Sequence, residues 1–518
     1  MLVRISVLFL IFSVWLDAAF ELALPFTDHA VIQAGEKVPV WGSADPGEEV
    51  RVQLGERTRT TKATKNGAWK VEFEAFEVSA RGIPLVVTSN GKSLVRKDLV
   101  FGEVWIATGQ SNMRWMLKDC ATGKEVIANG KDDGLRVLNF QGSLHPGGKR
   151  YPREFLKNLN PANYYQSKGW QRASPDSLAG FSGVGYFFAR KLRAELGVPV
   201  GIIHLAVGGS PMEAHLPQLA FEGDEQLKGL LNQWWKNPEY PRWCRQRAAL
   251  NLTHWLKNPV KGRTPPHPFA PAFLWEAGVE PLLPFPVKGV LWYQGESNAT
   301  EDGGRGLAVE KEVNRRKFAS LIKSWRRAWS KENLPVYFVQ LPGLNRDWEL
   351  FREMQLEVSR EVPGVGMAVT IDVGHPTNVH PPSKKPVGER LARLALAGTY
   401  GKKLVSSSPV MKAMEFAGET AVVFFDQKVT VPPGETAKGF EVAGEDRVFH
   451  PAIARVDGKS VILRSSKVST IVAVRYAWAD DPNCNVTNGE GLPLGPFRSD
   501  DWPVPSFSVK KKSGDGQN

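Results

Sequence analysis

Four short strings in this 518-residue chain combine hydroxyl, imidazole, carboxamide and glycine as acyl transfer requires. They are Gly109-Gln110-Ser111-Asn112-Met113, Gly208-Gly209-Ser210, Gln294-Gly295-Glu296-Ser297-Asn298, and Asp372 followed by His375 and His380. A serine hydroxyl is a weak nucleophile until an imidazole takes its proton. The tetrahedral intermediate then needs donors aimed at its oxyanion, a task that backbone amides and carboxamides perform without carrying charge. A lone Gly-x-Ser after a strand is ordinarily a turn, so the weight lies in where the four strings fall.

Each follows an apolar run of strand length. The runs cover residues 104–108, 200–207, 287–293 and 365–370, with a further run at 336–341. Between them, residues 184–196, 309–329, 347–361 and 387–400 keep the helical period. Near-continuous apolar strands alternating with helices predict an α/β fold with a central doubly wound parallel sheet of the flavodoxin-like kind. Ligands of such sheets bind beyond the carboxyl ends of the strands, where the four strings converge.

The flanks read differently. Residues 21–99 hold short alternating segments such as Trp69-Lys-Val-Glu-Phe73, separated by Asp45-Pro-Gly47 and Asn66-Gly67, and predict an N-terminal β-sandwich. Beyond residue 403 the helices stop, and Pro-Pro-Gly and Asp-Gly turns separate strand-like runs of a C-terminal all-β unit. The expected organisation is 1–19 export signal, 20–100 β-sandwich, 101–403 catalytic domain, 404–508 β domain and 509–518 polar tail. Residues 217–275, rich in Trp, Pro and Arg, break the α/β rhythm and are taken as an insertion. Trp234, Trp235, Trp243 and Trp255 within it are either a wall for stacking sugars or the insertion's own core.

Composition narrows the function. With 42% hydrophobic and 23% charged residues, the chain is neither disordered nor a coiled coil. Its net charge of +12 is spread along the sequence rather than gathered in a stripe, which argues against a nucleic-acid partner. Arg4, an apolar run over residues 5–16 and the small exit residues Ala18-Ala19 describe a secretory signal, hence a secreted or periplasmic protein with no integral membrane segment once it is removed. Cys120, Cys244 and Cys484 are too few for a disulfide scaffold and leave room for one bridge. No CxxC or HExxH spacing occurs, so neither a metal nor another cofactor is expected.

The strings Gly102-Glu-Val-Trp-Ile-Ala-Thr-Gly-Gln-Ser-Asn-Met113, Trp292-Tyr-Gln-Gly-Glu-Ser-Asn298 and Val379-His-Pro381 resemble the sialate O-acetylesterase family of the SGNH-hydrolase superfamily. The likeness extends to Asp28-His-Ala-Val-Ile-Gln33 and Val40-Trp-Gly42 before them, and to Phe440-Glu-Val-Ala-Gly-Glu445, Val474-Arg-Tyr-Ala-Trp478 and Gly491-Leu-Pro-Leu-Gly-Pro-Phe-Arg498 after them. The resemblance implies Ser111 as nucleophile and His380 as general base. It implies an oxyanion hole from the Ser111 N–H, a Gly208 or Gly209 amide and a carboxamide, with Gln294 first and Asn298 second. Many SGNH enzymes carry an aspartate three residues before the histidine, where this chain has Thr377. Asp372 is the nearest upstream acid, and either it or a backbone carbonyl orients His380. Gln110, Glu296 and Glu213 are placed at the pocket border, Glu296 also being readable as a buried carboxylate that ties its loop. His375 reads as a solvated bystander and His204 as a core residue. The expected activity is removal of acetyl groups from sugar hydroxyls, on an O-acetylated glycan or sialic acid. The alternatives are a non-catalytic glycan-binding protein with a degenerate hydrolase centre, and an esterase for other acylated polysaccharides or longer acyl chains.

Overall fold

The computed structural model describes residues 19–143, 148–259, 264–300 and 311–503. Its organising element is strand β1 (Lys92–Gly109), 18 residues long. The first seven residues, Lys, Ser, Leu, Val, Arg, Lys and Asp, are at most half-buried; the last eleven are all buried and, Glu103 apart, apolar or small. That change of pattern has a direct cause. The first part pairs antiparallel with Ser79–Ser89 in the N-terminal β unit, and the last part lies between two parallel neighbours. The expected boundary between residues 100 and 101 therefore falls inside one strand, with no turn residue to break it.

The other strands of the central sheet are β2 (Asp132–Asn139), β3 (Trp170–Ala173), β4 (Val200–His204), β5 (Gly289–Tyr293), β6 (Val336–Val339) and β7 (Val365–Ala368). They run in the order β3-β2-β4-β1-β5-β6-β7. The six from β2 to β7 in that order are parallel, whereas β3 pairs antiparallel with β2. The sheet is thus mixed rather than wholly parallel, and with the N-terminal strands attached through β1 it has 11 strands. Among the described residues between β2 and β3 the helices are short, Arg153–Asn158 and Pro161–Tyr164, and none of them is a long crossover helix that would carry the chain back to a parallel start.

Helices α2 (Gly183–Leu196) and α5 (Lys384–Gly398) pack against each other, as do α3 (Lys311–Ala328) and α4 (Glu349–Glu361). Every residue of β4 and β5 is buried, as expected of strands covered on both faces. The chain leaves β1 for β4 and β2 on one side and for β5, β6 and β7 on the other. The switch point lies beyond Gly109, His204 and Tyr293, where sheets of this kind bind their ligands.

In the N-terminal unit, strands Val38–Ser43 and Ala68–Phe73 pair antiparallel, and Glu49–Leu54 pairs with Arg57–Lys62 and Ser79–Ser89. Their inward residues, among them Val40, Val52, Trp69 and Phe73, join the core of the α/β layer. Two four-stranded sheets after residue 410 enclose a core of their own around Val423, Val442, Leu463 and Tyr476. Arg352 of α4 fastens this unit by donating to the carbonyls of Ala479 (2.7 Å) and Asp480 (2.6 Å). No helix among the described residues is long and apolar enough to cross a membrane. The expected export signal lies, except for Ala19, outside the described residues. All three cysteines are free.

Candidate active site

Ser111 follows β1 by two residues. Gly109 makes the turn out of the strand at φ +130°, and a Cβ there would sit 2.1 Å from the Tyr293 carbonyl oxygen, so only glycine lets β1 and β5 close up at this point. Gln110 is extended, and Ser111 begins the single-turn helix α1 (Ser111–Arg114). The segment is stitched to the start of α2. The Ser182 hydroxyl donates to the Met113 carbonyl (2.6 Å) and accepts from Gly185 N, while Gly183 N donates to the Trp115 carbonyl (2.8 Å).

Gly208 comes from the loop after β4. A Cβ on it would lie 3.7 Å from Ser111 Cβ, so its backbone runs beside the serine. The N–H groups of Ser111 and Gly208 have no partner among the described residues. Gly209 adopts φ +74°, and its Cβ position faces Phe269 and Trp243 instead. Gly208 is therefore the glycine placed to share an oxyanion with Ser111.

The loop after β5 supplies the carboxamides. Gln294 Nε2 spends both hydrogens, on the Ser210 carbonyl (3.3 Å) and Asn298 Oδ1 (2.7 Å). Asn298 Nδ2 makes one bond, to Glu213 (2.9 Å), which leaves it a second hydrogen. Of the two carboxamides expected to complete an oxyanion hole, Asn298 is the one with an N–H to spare, while Gln294 is spent in holding it.

The three residues expected at the pocket border are buried braces. Gln110 Oε1 accepts from Gly295 N and Ser297 N. Glu213 forms a buried ion pair with Lys317 at 2.6 Å. Glu296 accepts from Asn112 Nδ2 at 2.6 Å, and burial raises its pKa. Each is a polar group whose burial is tolerable only with such partners.

His380 lies in the loop before α5 and is half-buried. Its ring stacks on the indole of Trp115, with centroids 5.0 Å apart and planes 24° from parallel. Asn112 Nδ2 donates to the Val379 carbonyl (2.9 Å), tying the neighbour of Ser111 to the neighbour of His380. The buried Lys384 ammonium donates to Asn112 Oδ1 and lies 5.5 Å from the centre of the Tyr293 ring. Burial pulls its pKa down to about 8 against the opposing pull of Glu296. The His380 pKa is also lowered, first by burial and then by the charges of Lys384 and Arg346.

Among the described residues, no carboxylate is hydrogen-bonded to His380, and no hydrogen bond joins its ring to Ser111 Oγ. Asp372, one of the two expected orienting groups, is committed elsewhere. Arg390 Nη1 and Nη2 hold its two carboxylate oxygens at 2.7 and 2.6 Å. His375 accepts from Thr377 N and Asn378 N and so shapes the loop. His204 bonds Asn139 in the core, where burial pulls its pKa down to about 3. Of the insertion's tryptophans, Trp234 is wholly buried, and Trp243 is the one beside the glycine loop.

Sequence reasoning passed over Asn112, Trp115 and Lys384. Asn112 lies in the same string as Ser111, Trp115 stands two residues beyond its end, and Lys384 stands four residues after His380, so proximity in the chain was the available signal.

The comparison with known proteins bears on this geometry. A carbohydrate acetylesterase from Xanthomonas citri is 34% identical in sequence, covers 93% of this chain and all of its own, and superposes with a TM-score of 0.75. The chain belongs to the sialic acid-specific acetylesterase family of carbohydrate esterases. The family profile itself matches residues 276–397, the stretch that carries both Asn298 and His380. The sialate O-acetylesterase of Mus musculus is 27% identical over 92% of this chain and 94% of its own. That of Homo sapiens is 25% identical over 88% of each. The esterase is accordingly a carboxylic ester hydrolase, which removes the reading of a non-catalytic glycan binder.

Proposed function

We propose that this esterase is exported and removes acetyl groups from sugar hydroxyls through an acetyl-enzyme on Ser111, with His380 as general base. The observation that carries the reading is the setting of Ser111. It stands at the switch point of the sheet beside the Gly208 backbone, and Trp115, one helical turn onward, stacks on the His380 ring.

Ser111 Oγ attacks the acetyl carbonyl carbon as its proton passes to His380. The N–H groups of Ser111 and Gly208, with the free hydrogen of Asn298 Nδ2, receive the oxyanion. The bond to the sugar oxygen then breaks, and His380 returns the proton to the departing alkoxide. Water, deprotonated by the same imidazole, attacks the acetyl-enzyme; the bond to Ser111 Oγ breaks as His380 returns the proton to that oxygen, and acetate leaves. The roles form a Ser–His dyad: Trp115 stacking and the Asn112–Val379 tether fix the ring in place of a carboxylate.

Sialate O-acetylesterase is the printed name of the mammalian relatives, and O-acetylated sialic acid or a related acetylated glycan is the substrate class we assign here. Acetate release from a panel of acetylated glycans, with Ser111→Ala as control, tests the reading. Release lost in the variant supports it. Equal release by both proteins, or activity that rises with acyl chain length, overturns it. Export is tested by the amino terminus of the mature protein, expected near Phe20.

A further inference from the structure

Among the described residues, Asn298 Nδ2 has one hydrogen to spare, and its neighbours decide where that hydrogen points. Oδ1 accepts from Gln294 Nε2 (2.7 Å) and from Met212 N (2.9 Å), while Nδ2 donates to Glu213 Oε2 (2.9 Å). Two donors on one side and a carboxylate on the other admit a single orientation of the carboxamide. A flip would set N–H against N–H and oxygen against oxygen.

Glu213 comes from the helical turn Met212–His215, just past the Gly208–Gly209 loop, and is wholly buried. Its second oxygen, Oε1, accepts from Lys317 Nζ of α3 at 2.6 Å, and Lys317 is only 3% exposed. Each carboxylate oxygen thus has one task, Oε2 on Asn298 and Oε1 on Lys317. An unpaired carboxylate in this place would be costly to bury. It would also set a full negative charge in contact with the amide meant to receive an oxyanion, where a dry interior makes like charges repel strongly. The ammonium removes that opposition.

Stability alone does not account for the pair. Desolvation of two charges offsets much of their attraction, and apolar residues of similar volume often hold a fold as well or better. The residues flanking Glu213, Met212 and Ala214, are themselves buried and apolar, so an apolar side chain would suit the same surroundings. What an apolar side chain cannot do is accept from Asn298.

We infer that Glu213 and Lys317 are a pair of positioning residues for the oxyanion hole: the carboxylate aims Asn298, and the ammonium keeps that carboxylate from opposing the oxyanion. Both are closed off from solvent, so they act through Asn298 and not on the substrate. This inference rests on the proposed acetyl-enzyme reading, with Asn298 as a donor, and adds what holds that donor in place.

The test replaces both partners together, because removing one would leave the other as an unpaired buried charge. Glu213→Leu with Lys317→Met is measured on an aryl acetate alongside thermal unfolding. The unfolding temperature is expected to hold, while kcat falls by about tenfold to a hundredfold with KM little changed, as when a donor to the transition state is misaimed. Glu213→Gln with Lys317→Met restores an oxygen for Asn298 without restoring charge, and should recover most of the rate. In an Asn298→Ala background the Glu213→Leu, Lys317→Met pair should cost nothing further in kcat, since the residue it aims is gone. Should leucine not pack at position 213, Glu213→Ala with Lys317→Met serves in the same comparisons.

Wild-type kcat in the apolar double variant overturns the inference. So does a loss that Glu213→Gln fails to recover, or one that adds in full to the loss from Asn298→Ala, as a merely structural pair would give. Undiminished kcat in Asn298→Ala itself would instead sink the reading of Asn298 as an oxyanion donor.

Discussion

The imidazole of His380 rests against the indole of Trp115, ring centres 5.0 Å apart, and Trp115 is only four residues from Ser111. The segment that presents the Ser111 hydroxyl therefore also carries the surface against which the His380 ring packs. Stacked aromatic pairs contribute about 0.5–1.5 kcal/mol beyond the area they bury, which is up to about tenfold in rate if the whole of it serves to place the ring. Trp115→Ala should lower kcat on an aryl acetate by up to about that factor with unfolding unchanged, and Trp115→Phe should recover most of it. Equal losses in both variants would argue against a positioning role.

The commitment of Asp372 to Arg390 separates stability from rate. One third of the carboxylate side chain is exposed against a tenth of the arginine, so the pair is partly screened. Asp372→Asn is expected to cost about 1 kcal/mol of stability and less than about tenfold in kcat/KM. A loss of several hundredfold at unchanged stability would restore Asp372 as the group that orients His380.

The carboxamides should divide in the same way. Removing an oxyanion donor typically costs about a hundredfold to a thousandfold in kcat. Asn298→Ala is expected in that range. Gln294→Ala should act mainly on the unfolding temperature, since its amide holds Asn298 and Ser210 rather than substrate. The reverse ranking would return Gln294 to the hole.

The acid limb of the pH profile follows from the surroundings of His380. A general base works in its neutral form, so kcat/KM rises as pH climbs through its pKa. Burial, Lys384 and Arg346 all lower that pKa from its ordinary 6.5, which places the limb on the acid side of 6.5. Lys384→Met removes one of the two depressing charges and should shift the limb upward, whatever it does to the height of the profile. An unmoved limb would show that the titrating group is not His380.

Much of this arrangement was legible in the residues, and the remainder has identifiable causes. The apolar runs ending at Thr108, Val207 and Tyr293 mark the strands that carry Ser111, Gly208 and Asn298, because burial on both faces leaves a continuous signal. The mixed character of the sheet did not show. Trp170–Ala173 is a four-residue edge strand whose direction depends on how the preceding loop returns. The continuity of β1 was hidden because the shift from part-exposed, largely polar residues to buried, largely apolar ones marks a change of neighbours, not a change of element. Asp372 was drawn to His380 by nearness in the chain. Its actual partner, Arg390, is 18 residues away on the second turn of α5 and invisible to spacing alone. The bracing roles of Gln110, Glu213 and Glu296 depend on backbone amides, Lys317 and Asn112, contacts that only the folded loops create.

The central claim, that Ser111 is the nucleophile activated by His380, is tested most directly by covalent labelling. A fluorophosphonate would be incubated with wild type and with His380→Ala, and the site of attachment read by peptide mass spectrometry. The account predicts stoichiometric modification of Ser111 in the wild type, and labelling slowed by about a thousandfold or more in the variant. Attachment at another residue, or labelling of Ser111 at the same rate without His380, would contradict it.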